Sequence, residues 1–410
     1  MLRRLRVDSF FLFLVASTSL RAQPGGGRRA PVELPAGTGK EVVEATCSRC
    51  HSLGLVANGG GTRNGWDELT STMVDLPSGQ KKIVLDYLSA HFPPKPVAAP
   101  VLISGTSKIS FKEWALPTKG SRPHDPVSTP DGALWYTGMF SNKIGRVDTR
   151  TGAIKEFTIK TDASGPHGLD ADRNGNIWFT ANSKGYIGKL DPKTGEFTDY
   201  KLPDGTRDPH TPIFDQKGML WFTAQGANVV GRLDPATGDV KVVQMPNTRS
   251  LPYGIVISST GVPWLVEFGA NRIASLDPST MEIKEYSLPN ADTRPRRIAI
   301  DNNDVIWYSD YSRGYLGMLN PKTGEMKEWP SPSGARSLPY AISFAKGAIW
   351  YVETGVRPNA MVRFDPKTSK FQSWPIPAGG GVVRHMVTTN DGNIVIAESA
   401  LNTVGLVEIK

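Results

Sequence analysis

Cys47, Cys50 and His51 stand together as C-S-R-C-H, and they account for both cysteines of the 410-residue chain. Two thiols separated by two residues and followed at once by an imidazole form the attachment signal of a c-type haem. The thiols would bond to the porphyrin vinyl groups, and His51 would reach the iron as proximal ligand. A redox C-x-x-C pair and a chance match are the competing readings. Met73 is the expected sixth ligand, because a thioether suits a high reduction potential. His91 competes for that place, and core filling is the plainer role for Met73. Arg63 has the guanidinium fork to hold a haem propionate, or it is an ordinary loop arginine.

A second set of chemistry-bearing residues is spread over the rest of the chain. His124, His167, His210 and His385 read as one recurring position of a repeat, which holds Tyr253, Arg296 and Tyr340 in the other units. A second position, three residues after each repeat tryptophan, holds Glu267, Asp310, Glu353 and Glu398 in units four to seven. Units one to three have Gly or Ala there. One arc of the ring would be imidazole-rich and the opposite arc acidic. Titratable groups clustered at a channel mouth point to a ligand, metal or catalytic site. Nitrogen and oxygen donors together suit a divalent metal. On the plainer reading, a duplicated Pro-His only satisfies a loop backbone. On the site reading, neither His167 nor His210 belongs to the packed core.

These residues need elements to hold them. Arg3, Arg4 and Arg6 precede the apolar run Phe10 to Val15, and Ala22 suits cleavage. Residues 1–22 therefore read as a signal peptide, which places the mature chain in the periplasm or outside the cell. Residues 37–96 suit a small haem module. Its expected helices run over 40–50, from near Thr38 or Gly39, then 66–76, and 79–92 before Pro93-Pro94. Residues 97–108 read as a linker. Beyond it Trp135, Trp178, Trp221, Trp264, Trp307 and Trp350 fall every 43 residues, with Val395 in the seventh place.

A period in the low forties, with several short strands per unit, is the signature of a β-propeller. Gly and Pro punctuate every unit, which argues against a helical repeat. The last unit stops after its third strand, and Ile109 to Pro117 would supply the fourth and close the ring without an exposed edge. The expected fold is an all-β seven-bladed β-propeller over 109–410, preceded by a small all-α cytochrome c domain.

A content of 39% hydrophobic and 21% charged residues excludes a collagen-like or wholly disordered chain. The formal charge is +8, four arginines and one aspartate of which lie in the leader. No dense Lys/Arg stripe accompanies the remainder, which argues against nucleic acid as a partner. After the leader no apolar run approaches the length of a transmembrane helix.

The segment 37–96 resembles the compact cytochrome c domains of quinohaemoprotein amine dehydrogenases. In those, C-x-x-C-H is followed by R-x-x-W and a helical Met, here Arg63, Trp66 and Met73. Repeats such as PHGLDADRNGNIWFTANSKGYIGKLDPKTGEF resemble the virginiamycin B lyase (streptogramin lyase) family over about 109–410. That resemblance implies a Mg²⁺-dependent elimination that opens a cyclic depsipeptide with a His base at the channel mouth. The nearest match to its site is His167, Asp208 and His210, with Gln225 in the last place. It would make His210 the base, His167 a metal or substrate partner, and Asp208 a Mg²⁺ ligand.

Two departures stand out. Gln225 replaces a carboxylate and brings no charge to a divalent cation. The set also lies away from the C-terminal blade, where Val383 precedes His385. Two function classes follow. One is an exported cytochrome whose propeller binds a redox partner protein or a small-molecule substrate. The other is a Mg²⁺-dependent lyase with the cytochrome as an accessory domain.

Overall fold

The computed structural model describes residues 32–48, 53, 56–57, 59–71, 76–94 and 96–410. Cys50, His51, Met73 and the segment 1–22 lie outside them.

The repeat unit folds as a four-stranded antiparallel sheet, and seven such sheets make the propeller. Second strands such as Ile177–Ala181 are buried at every position, which is why they read as continuous apolar runs. Outer strands such as Phe197–Lys201 have only half-buried and exposed positions. The repeat tryptophans are tied to the hairpin before them. The Nε1 of Trp178 and of Trp221 donates at 2.9 Å to Asp172 and Asp215, six residues earlier, and Trp307 donates to Asp301 at 3.1 Å. These three indoles thus pack between blades, each with its one polar atom satisfied. Gly188 lets the third strand pass the ring of the second, since a Cβ there would lie 2.1 Å from Phe179.

The ring closes through its two ends. Ile109–Ala115 pairs with Thr403–Ile409 from Ile109↔Ile409 to Ala115↔Thr403, completing blade seven. The first strand of the propeller is therefore the outer strand of the last blade, and no sheet edge is left at the seam.

In the N-terminal segment, α1 (Lys40–Cys47), α2 (Arg63–Ser71) and α3 (Ser78–His91) pack around Val43, Trp66, Val84 and Leu88. The indole of Trp66 donates to the Phe92 carbonyl at 3.0 Å. Helix α2 starts three residues before Trp66 because the Thr62 hydroxyl caps the Gly65 N–H at 3.0 Å. Among the described residues no helix is long and apolar enough to cross a membrane.

The linker is more than a spacer. Its backbone is hydrogen-bonded to blade six: Arg357 N–H to the Ala98 carbonyl (3.0 Å), Val101 N–H to Ser333 Oγ (3.0 Å), Ile103 N–H to Ser373 Oγ (2.8 Å), and Ser373 N–H back to the Ile103 carbonyl (2.9 Å). Arg357 and Ser333 belong to the loops that flank the start of that blade's inner strand, Pro339–Ala345.

Candidate functional site at the channel mouth

Every inner strand opens with Pro, or with Val383 in blade seven, and then bulges before regular pairing resumes. A bulge takes the next residues out of the ladder, so their backbone groups need other partners. In blade two the Thr180 hydroxyl accepts from the Gly168 N–H (2.7 Å) and donates to the His210 carbonyl of blade three (2.8 Å). Thr137 does the same between Asp125 and His167, Thr223 between Thr211 and Tyr253, and Ser309 between Arg297 and Tyr340. Each hydroxyl thus fixes the residue after Pro in the following blade.

Those residues form the mouth ring: His124, His167, His210, Tyr253, Arg296, Tyr340 and, in blade seven, Arg384. His385 is not a member. Val383 pairs with Glu398 as Pro123 pairs with Gly138, which puts His385 one place deeper, level with Asp125 and Arg297. The three imidazoles and Tyr253 pack one against the next, tilted by 40°, 48° and 51°, with centroids 3.6, 3.9 and 3.9 Å apart. His124, His167 and His210 are only 2, 5 and 2% exposed. The expectation that His167 and His210 stand outside the packed core is therefore corrected: they fill one side of the mouth. Burial, reinforced by neighbouring guanidinium groups, holds all three well below the usual imidazole range, so they are neutral. Beyond the imidazoles, the hydroxyls of Tyr253 and Tyr340 are 2.5 Å apart.

One layer down, Arg297 spans the channel. Its Nη2 donates to Asp125 Oδ1 (2.7 Å), Nη1 to Thr211 Oγ1 (3.1 Å) and Nε to the Arg384 carbonyl (3.2 Å). Asp125 Oδ1 also lies 2.8 Å from His124 Nδ1. Both partners of the ion pair have side chains 1% exposed. Under this layer a cavity of about 160 Å³ is lined by Val127, Leu169, Ile213 and Ile255, with His385 on its wall. Asp125, Arg297 and Arg384 did not stand out in the sequence. The cue was the register of the inner strand, which the missing Pro of blade seven obscures.

The four acids go elsewhere. Glu353 accepts from Ser331 Oγ (2.6 Å) and the Ser333 N–H (2.9 Å) in the loop leading into its blade. Asp310 accepts the Arg294 N–H at 3.1 Å and pairs with Arg313 at 3.3 Å. Glu267 neighbours Ser250 and Glu285, and burial pushes it up to about 7. Glu398 faces Glu113 on the outer strand, and burial together with that carboxylate pushes it up to about 8. All four are fully buried, and their partners lie in their own blades and leading loops. The arc opposite the imidazoles is built from tyrosine and arginine instead of carboxylate.

The residues do not fit a magnesium ion, which prefers oxygen donors in an octahedral set. His167 and His210 offer nitrogen. The Asp208 carboxylate accepts from Asn182 Nδ2, and its backbone carbonyl accepts from the Gln225 N–H at 3.0 Å. His124, Asp125 and His167 lie within reach of one ion, but Asp125 is already bound to Arg297. In the N-terminal segment, Cys47 is half-buried at the end of α1. Arg63 pairs with Asp86 at 3.0 Å on the surface, so its guanidinium is engaged there.

The virginiamycin B lyase family model matches residues 103–267 and 241–410. A streptogramin B lyase structure is 28% identical, covers 74% of this chain and 98% of its own, and superposes with a TM-score of 0.67. The Staphylococcus aureus virginiamycin B lyase is 24% identical, with 73% and 99% covered and a TM-score of 0.66. A catalytically inactive variant of that enzyme, solved with quinupristin, is likewise 24% identical, with 73% and 99% covered and a TM-score of 0.67. No curated protein sequence matches significantly.

Proposed function

The chain belongs to the virginiamycin B lyase family, and from that premise we propose that it is an exported c-type cytochrome whose propeller binds a small-molecule substrate or a redox partner protein at the channel mouth. The linker carries this reading. Ala98, Val101 and Ile103 are hydrogen-bonded to blade six, beginning at the end where its inner strand starts, so the tether of the helical segment leaves from the side of the mouth ring. Cys47 and Cys50 would hold the porphyrin, with His51 and Met73 as axial ligands. A haem c bound there supplies one-electron exchange. An elimination needs no such carrier, which favours this reading over a lyase with an idle cytochrome. The lyase alternative draws on the contact between His167 and His210, 3.9 Å apart, but Gln225 stands where a carboxylate is wanted. In the mouth itself the neutral, buried imidazoles form a closed wall, Arg297 closes the floor, and the half-buried arginines of the opposite arc are left to meet the ligand.

The test is covalent haem in the full chain, produced with its own leader in a host that assembles c-type cytochromes. Denatured protein should stain for haem, and Cys47→Ser with Cys50→Ser should abolish the stain. Met73→Ala should change the visible spectrum and lower the reduction potential. Wild-type chain without covalent haem would overturn the proposal. Reduction of the haem by a panel of candidate substrates, with EDTA as a metal control, then identifies the donor.

A further inference from the structure

The mouth does not suit a cation, and the reason indicates what it does suit. Three guanidinium groups converge on it besides Arg297: Arg296 and Arg384 in the ring, and Arg122, which immediately precedes the inner strand of blade one. The carboxylate of the layer beneath, Asp125, is committed to Arg297 at 2.7 Å and to His124. Asp310 and Glu353 are bonded to their own leading loops, Asp310 also to Arg313, and burial pushes Glu267 up to about 7 and Glu398 up to about 8, beside Glu285 and Glu113. Burial and the charge of Arg384 together pull Arg122 down to about 10. Tyr340 is held below the usual phenol range because Arg296 and Arg384 outweigh its burial. The buried Nε atoms of Arg296 and Arg384 have no hydrogen-bond partner among the described residues. Arg296 lies over the rings of Tyr340 (4.0 Å), Tyr311 (4.4 Å), Phe268 (4.8 Å) and Tyr253 (5.3 Å). Arg122, Arg296 and Arg384 are half-buried, whereas the imidazoles are closed off, so access is from the arginine arc.

Partly buried positive charge without a counter-charge is costly, and an unpaired guanidinium N–H asks for an acceptor. A carboxylate supplies both, and a planar one matches the guanidinium fork and the aromatic faces around it. We propose that the mouth binds a small carboxylate ligand through Arg296 and Arg384. This rests on the mouth being the ligand site of the proposed function, and it names the ligand class. It does not depend on the haem.

Titration calorimetry of the full chain with benzoate and, separately, with magnesium chloride tests it. Benzoate should give saturable heat that weakens at high salt, and magnesium should give none. Arg296→Gln and Arg384→Gln should each weaken benzoate roughly tenfold or more, the size expected for one lost charge-assisted hydrogen bond. Circular dichroism checks that each variant is folded, and Arg384→Lys, which keeps the charge, should lose less than Arg384→Gln. Saturable magnesium binding without benzoate binding, or benzoate binding unchanged in both glutamine variants, would overturn the inference. If covalent haem is present but benzoate does not bind, the inference falls and the cytochrome stands. If benzoate binds and the haem is absent, the reverse holds.

Discussion

Arg297 shows how a single side chain can decide the character of a channel. Its guanidinium reaches from blade five to groups in blades one, three and seven, and its one counter-charge is Asp125. Removing one member of a buried ion pair strands the other charge, so Asp125→Ala should destabilise the propeller by about 3–5 kcal/mol. Replacing both residues, as Asp125→Ala with Arg297→Met, should recover most of that loss, because the stranded charge goes too. Denaturant unfolding of the two variants measures it, and a double variant no more stable than Asp125→Ala would show that Arg297 acts by packing alone. The residue scale is also where the sequence was only half legible. C-S-R-C-H is plain as a spacing, but Cys50 and His51 lie outside the described residues. The imidazole ring was visible as Pro-His at 43-residue intervals, but Val383-Arg384-His385 imitates that pattern one residue out of step. Only strand pairing shows that Arg384 takes the ring position. The acids were read as facing the channel because a repeat position gives a place in the blade and not a partner; Glu353 and Asp310 bond to the loops leading into their blades, and Glu267 and Glu398 sit beside Glu285 and Glu113.

At the scale of elements, the hydroxyl of the second strand is what carries order from blade to blade. Thr180 satisfies the Gly168 N–H left over by one bulge and the His210 carbonyl displaced by the next. Thr180→Val keeps the shape and leaves both groups buried without a partner, at a cost of about 1–3 kcal/mol for each. Thr180→Ser should retain most of the stability, since the hydroxyl is the working group. Thermal unfolding of the pair checks this, and a valine variant as stable as the serine variant would refute the latch. Blades four, six and seven carry Val266, Val352 and Ala397 at this place, so the latch is a property of particular blades. The repeat period, the strand-rich units and the ring closure were legible, because tryptophan spacing and Gly/Pro punctuation are local facts. The docking of the linker was not. Its partners lie some 230 to 270 positions away in sequence, and a polar backbone that pairs with a distant edge looks the same as one that pairs with water.

The whole molecule should record its buried titratable groups in the pH dependence of its stability. His124, His167 and His210 are held well below 6.5, chiefly by burial, and burial with Arg297 pushes His385 down to about 3. An unfolded chain takes up protons at these imidazoles as the pH falls below 6.5, and the fold refuses them. Their contribution is therefore complete above 6.5 and is lost on acidification. Glu267 and Glu398 behave in the opposite sense. Raised from 4.5 to about 7 and about 8 by burial and by Glu285 and Glu113, they stay protonated in the fold where the unfolded chain would ionise. Their contribution is present below 4.5 and is lost as the pH rises through 7 and 8. Above 6.5 the imidazoles no longer compensate, so the melting temperature should fall across that window. Glu398→Gln keeps the shape without the charge and should flatten the alkaline limb while leaving the acid limb in place. A melting temperature that holds constant from pH 6.5 to 8 in the wild type, or a decline that persists unchanged in Glu398→Gln, would show that Glu398 is not protonated in the fold.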